Sequence, residues 1–288
     1  MSAKEAAVTN QSSPYQRRKI SNNFALVYKV IMSFPFEITD LEGETGKEIL
    51  KHYLCDDKPN VQVGPHKYTY PYKYRQLGPD IYNFNLRPDD VWIVTFPRSG
   101  TTWTQEILYL LNTDLDFKTA SNTHLTLRFP QLELSASFSD SLIEKIRKQI
   151  KGQQQMEAHL DQILTNATHT MNETKNKRFI KTHIPFSLLP PALLDTCKVV
   201  YVCRHPKDVA VSYFHFCCTF VTSHFQGDFA TFWDQFENNT CRFGPYWEHL
   251  RKSGAWHDYF TPELNARADK WIAENIARLP GFAFPKHQ

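Results

Sequence analysis

The sequence predicts an α/β fold, a central parallel sheet flanked by helices, and three stretches predict it. Val91–Phe96 is a run of apolar or β-branched residues, broken by Pro97 and Gly100. Trp103, Ile107, Leu110 and Leu111 then follow at i, i+4, i+7 and i+8, a helical spacing. Lys198–Cys203 repeats the strand, and Pro206 and Asp208 suit the first turn of a helix over Lys207–Cys218. Arg178–His183 supplies a third strand, ending before Ile184-Pro185. Two strand-to-helix switches of one kind imply parallel strands with helices on both faces, and such sheets bind ligands at their C-terminal strand ends.

The 288 residues suffice for one large domain with a full core. Rings are plentiful, 21 Phe and 13 Tyr, which suits both packing and a pocket for a flat apolar molecule. The formal net charge of +3 gives no argument for nucleic-acid or membrane partners. None of the six cysteines forms CxxC, and no Cys/His spacing matches a zinc pattern. Cys203 reads as a reduced thiol in a buried strand, so a reducing, cytoplasmic setting is expected and the sequons at Asn166, Asn172 and Asn238 are chance matches. No stretch has transmembrane length, and Met1–Asn23 lacks a signal-peptide layout.

In chain order, residues 1–31 read as a disordered extension and residues 32–288 as one domain. Thr45–Leu54 reads as a short helix and Pro59–Pro88 as loop-rich. Ser139–Gln155 reads as one amphipathic helix, because Leu142, Ile143, Ile146 and Ile150 share a face. Asn166–Lys177 reads as a polar loop, and Asp114–Arg178 as a whole as a lid or a surface insertion. Thr261-Pro262-Glu263 starts a last helix.

The loop Phe96–Thr102 lies where an anion is best held, between a strand end and a helix N-terminus. Gly100 permits close approach, Ser99, Thr101 and Thr102 add hydroxyls, and Arg98 adds a fixed charge. Alone, the motif reads equally as an ordinary capped turn. No GxxxxGK[ST] occurs, which disfavours a P-loop nucleotide phosphotransferase. The other strand ends carry Lys181 with His183, and Arg204 with Ser212 two turns into its helix. Two separated cationic sites suit a ligand with two phosphates, and one histidine between them suits a general base. Singly, His183 also reads as a turn histidine and Arg204 as a salt-bridge partner.

Phe96–Leu108 (FPRSGTTWTQEIL), Arg178–Pro190 (RFIKTHIPFSLLP) and Val199–Phe216 (VVYVCRHPKDVAVSYFHF) together resemble the successive signature blocks of the cytosolic sulfotransferases. The resemblance runs from about Met32 to Trp247 and resumes near the C-terminus. It implies a P-loop-nucleotide-hydrolase-like fold and sulfonate transfer from PAPS, 3′-phosphoadenylyl sulfate, to a hydroxyl of a small apolar acceptor: a phenol, steroid or retinoid-like alcohol. By that resemblance His183 is the base, Lys181 assists at the sulfonate, and Arg98, Ser99, Gly100, Thr101 and Thr102 hold the phosphosulfate. Trp103 matches the tryptophan that stacks on adenine, and Arg204 with Ser212 the ligands of the 3′-phosphate. No metal is implied. Arg98 stands where the family commonly has Lys, and it resembles the branch that includes retinol dehydratase, as does the long segment before Arg178.

After Leu250 the resemblance breaks. The family continues through a further strand and helices, whereas here Arg251-Lys252-Ser253-Gly254-Ala255-Trp256 follows at once, as in an exon-skipped product. Arg251 and Lys252 read either as a 3′-phosphate pair or as the end of the upstream helix. Loss of a strand and helix is expected to bare apolar faces and a sheet edge, which makes a catalytically inactive truncated isoform the rival reading. His257, Pro262 and Ala266 depart from the family's dimer motif, so dimerisation by that route is not expected.

Overall fold

The structure is a computed structural model, and it describes residues 33–251. The extension, the last helix, Lys252 and the dimer-motif positions lie outside the described residues.

An antiparallel sheet comes first, from β1 (Ile38–Asp40), β2 (Val61–Val63) and β3 (Tyr68–Tyr70), with helix α1 (Gly43–His52) between β1 and β2 and α2 (Tyr74–Tyr82) after β3. The stretch expected to be loop therefore holds two strands and a helix. Its strands are only three residues long, too short to display an alternation, and β3 is buried on both faces. Its tyrosines are core residues; Tyr70 stacks on Tyr74 with ring centres 4.2 Å apart.

The second sheet is parallel, as expected. β4 (Val91–Thr95) is fully buried and lies between β5 (Phe179–Thr182) and β6 (Lys198–Val202). Trp92 stands opposite Ile180 on one side and Val199 on the other. The chain thus leaves β4 toward one neighbour and later returns to the opposite side, and a crevice opens outside the strand ends at such a reversal. Just before β4 and β5, Asp90 and Arg178 form a buried ion pair at 2.5 and 2.7 Å that locks the entry of both strands. Among the described residues β6 pairs only with β4, and it is partly exposed along its length. Cys203 falls beyond its end and is exposed, not buried as expected, because β6 forms the margin of the described sheet.

Between β4 and β5 run α3 (Thr101–Asn112), α4 (Phe117–Asn122), α5 (Leu125–Arg128), α6 (Asp140–Ile150), α7 (Gln154–Leu164) and α8 (Ala167–Glu173). The single helix expected over Ser139–Gln155 is two, α6 and α7, interrupted at Gly152, whose φ of +85° is left-handed. The polar loop expected from Asn166 is largely α8, because the Asn166 side chain caps its first turn by accepting the Thr168 N–H. Between β5 and β6 lies α9 (Leu193–Thr196), and after β6 come α10 (Pro206–Thr219), with Pro206 at its first turn as expected, α11 (Phe229–Glu237) and α12 (Tyr246–Arg251).

The helical spacing of α3 is as read, and the structure adds which face is covered. Thr101, Gln105 and Tyr109 are buried, while Trp103, Ile107 and Leu111 point to solvent, Trp103 at 79% exposure. The polar face goes inward because it has partners there: Gln105 Nε2 donates to the Phe129 carbonyl at 3.2 Å, and Thr101 Oγ1 meets Thr95 Oγ1 at 2.8 Å. No helix of the described residues is long and apolar enough to cross a membrane.

Candidate active site

The site forms at the C-terminal ends of β4, β5 and β6. Pro97 ends β4, and the loop turns sharply into α3 through two left-handed residues, Arg98 (φ +68°) and Gly100 (φ +104°). No side chain caps the first turn of α3, so its leading amides face the crevice. Ser99 is buried, yet its Oγ has no hydrogen-bond partner. A buried hydroxyl is costly to leave unpaired, and one that precedes an uncapped helix N-terminus marks a place where a ligand oxygen would fit. A side chain at position 100 would meet only Val202, 3.8 Å away, so Gly100 is required by its backbone angle and not by crowding. Thr102 is exposed at the helix mouth, and Trp103 stands beside it with its ring in solvent.

Arg98 reaches across the crevice. Its Nε donates to Ser212 Oγ on α10 at 3.1 Å, and its guanidinium lies 5.2 Å from the Phe216 ring centre. It therefore ties the β4–α3 loop to the helix after β6. Arg204 follows β6, exposed, with its Nε 3.6 Å from Asp208 Oδ2. The Arg204 carbonyl accepts the Tyr246 hydroxyl at 2.5 Å, which joins this loop to α12. Arg251 is the last residue of α12, so its backbone belongs to the upstream helix.

His183 sits just past β5, buried. Its Nδ1 lies 2.8 Å from the Thr95 carbonyl oxygen and 3.1 Å from Thr95 Oγ1. Burial pushes its pKa well below the usual imidazole value, and the Lys181 charge pushes it further. Lys181, in β5, is partly buried, and burial lowers its pKa while Glu133 pulls it back up and Arg98 lowers it again. The loop, Arg98, Lys181 and His183 are thus brought together from the ends of β4 and β5, with Ser212 on the helix after β6 joined to them through Arg98. Among the described residues no group of three or more His, Cys, Asp or Glu side chains is placed to hold a metal ion.

Two residues not expected from the sequence complete the frame. Glu133 accepts the His183 N–H at 2.7 Å. On the other side of the same residue, His249 Nε2 lies 3.0 Å from the His183 carbonyl oxygen, with its Nδ1 2.9 Å from the Tyr201 hydroxyl. A carbonyl only accepts, so His249 carries its proton on Nε2, and burial lowers its pKa to about 4. Glu133 has no motif around it. His249 gave one signal, a lone histidine among the apolar residues of a short helix, which reads first as a packed core residue.

Comparison with known proteins points to one family. Residues 88–253 match the sulfotransferase domain. Luciferin sulfotransferase of Photinus pyralis is 32% identical over 227 residues, 77% of this chain and 57% of that protein. Sulfotransferase 1A1 of Bos taurus is 33% identical over 177 residues, 61% of this chain and 51% of that protein. The chain spans about half the length of the curated relatives it matches. Among solved structures, retinol dehydratase in complex with retinol and PAP aligns with a TM-score of 0.70 at 32% identity, covering 78% of this chain and 67% of that one. The same enzyme with androsterone and the inactive cofactor PAP aligns with a TM-score of 0.71 at 25% identity, covering 88% of this chain and 99% of that one. The matched span carries all three strands of the parallel sheet and the loops at their ends, and the chain belongs to the sulfotransferase domain family.

Proposed function

We propose that this chain transfers a sulfonate group from PAPS to the hydroxyl of a small apolar acceptor, in the cytoplasm and without a metal. The single observation that carries this reading is the state of His183. Its Nδ1–H is committed to the Thr95 carbonyl, so Nε2 keeps its lone pair, and burial keeps the ring neutral. That is what a base for a hydroxyl proton requires.

The rest of the site supports the same chemistry. The uncapped amides of α3, the orphaned Ser99 hydroxyl and Gly100, Thr101 and Thr102 would hold the 5′-phosphosulfate. Arg204 and Ser212 would take the 3′-phosphate, with Arg251 and Lys252 as candidates for a further pair. Trp103, a large ring held in solvent, offers a face for the adenine. In the transfer, the acceptor oxygen forms a bond to sulfur as the bond from sulfur to the phosphate oxygen breaks. The hydroxyl proton passes to His183 Nε2, and the leaving PAP carries the negative charge that Lys181 and Arg98 stabilise. Retinol and androsterone in the aligned complexes make a flat apolar alcohol the acceptor class to screen first.

A second reading has its own observation. Among the described residues Trp103, Ile107 and Leu111 form a bare apolar stripe and β6 is partly exposed. Those features favour a truncated, inactive isoform. Melting of the full chain with and without PAP separates the two. At about a hundred times its dissociation constant PAP should stabilise the native state by roughly 2.7 kcal/mol. A cooperative melt that shifts, with turnover of labelled PAPS lost in His183→Ala, supports transfer. A melt that PAP does not move rejects it.

A further inference from the structure

We propose that Glu133 is the positioning residue of this site: its buried side chain fixes the peptide that carries His183. The inference rests on the role of His183 proposed above.

The geometry is specific. Glu133 is 1% exposed. Its Oε1 accepts the His183 N–H at 2.7 Å and the Gln131 side-chain amide at 2.6 Å, and its Oε2 accepts the Thr182 hydroxyl at 2.8 Å. The Thr182 oxygen in turn accepts the Ile184 N–H at 3.0 Å. Three consecutive residues, Thr182, His183 and Ile184, are thereby pinned to one carboxylate. The segment bearing Glu133 is itself laced to β5, because Lys181 N–H donates to the Pro130 carbonyl and Leu132 N–H to the Lys181 carbonyl, both at 3.0 Å.

A wholly buried carboxyl is expensive unless its oxygens are bonded, and burial raises its proton affinity against the pull of its donors. Here three donors meet it, the His183 N–H, the Thr182 hydroxyl and the Gln131 amide. The ring of His183 is held separately, by the Thr95 carbonyl. Glu133 thus fixes the backbone on which that ring is mounted.

The test compares full-length Glu133→Gln and Glu133→Asp with the unaltered chain. The first readout is the imidazole NMR signal of His183, nitrogen-labelled and assigned with His183→Ala. It needs neither donor nor acceptor. In both variants the signal should shift, since the peptide that carries the ring loses its hold. The second readout is turnover. In both variants kcat should fall about tenfold or more with the KM for PAPS unchanged, as a displaced base requires. An unmoved His183 signal in folded Glu133→Gln overturns the proposal, as does a full kcat in either variant. If Glu133→Gln fails to fold, Glu133→Asp decides on the same two readouts. A chain that turns over no acceptor would sink the transfer reading above, while the His183 signal would still judge the positioning role of Glu133.

Discussion

His183 Nδ1 stands 2.8 Å from the carbonyl oxygen of Thr95, and that one contact sets the tautomer of the ring. A carbonyl can only accept, so the proton is on Nδ1 and the Nε2 lone pair is presented outward. Burial and the nearby Lys181 charge resist a second proton. The base is therefore active below the pH at which an ordinary histidine is lost. The acid limb of kcat/KM is expected below pH 6.5, the unperturbed value, and Lys181→Gln should move it upward by removing the repelling charge. A pH profile of PAPS turnover measures both. A limb at or above 6.5 would contradict the assignment.

Buried His249 makes a prediction about stability instead of rate. Its pKa is about 4 in the folded chain against 6.5 in the unfolded one. The unfolded state therefore takes up the proton first as pH falls. Stability contributed by neutral His249 is complete above about pH 6.5, and it is lost between there and about pH 4, amounting to roughly 3 kcal/mol. Melting temperature should drop across that window, and it should drop less in His249→Gln.

Ser99 separates folding from binding. Its hydroxyl is buried and unpaired, so Ser99→Ala removes nothing that holds the free protein together. The melting temperature without ligand should stay or rise. Binding of PAP should weaken by about fivefold to tenfold, one hydrogen bond's worth, by calorimetry. Arg98→Ala should cost more, because it takes away a charge as well as the tie to Ser212.

Trp103 is a second such residue. At 79% exposure it supports little of the core, so Trp103→Ala should change stability by no more than about 0.5 kcal/mol. If its ring receives the adenine, the same change should weaken PAP by about 1–3 kcal/mol. Quenching of tryptophan fluorescence by PAP in the unaltered chain, absent in Trp103→Ala, gives the independent readout.

The parallel sheet was legible because β4 carries its signal in five consecutive buried residues and a proline-glycine break. Pro206 marked α10 for a similar reason, since a proline's fixed φ suits a first turn. The antiparallel sheet was not legible. Three-residue strands give no period, and their tyrosines look like pocket walls until a partner strand covers them. The apolar stripe of α3 shows a different limit. Periodicity reports which residues share a face, and not which face is covered; Gln105 and Thr101 went inward because their partners lay in other elements. The same limit hid Glu133 and His249. Each acts on a backbone group of His183, and a backbone group leaves no mark on the sequence around it.

The register of the parallel sheet has a consequence for how the chain reaches this state. Trp92 pairs with Ile180, 88 residues later, and with Val199 beyond that. Within this sheet the central strand precedes both of its partners in the chain. Long loops must be gathered before either neighbour can dock, which slows the search. Throughout that wait Val91–Thr95, one of the most apolar stretches of the molecule, has nothing to pair with. Refolding yield should then be limited by protein concentration during this interval, and the segment that anchors the finished site is also the one most exposed to misassociation on the way to it.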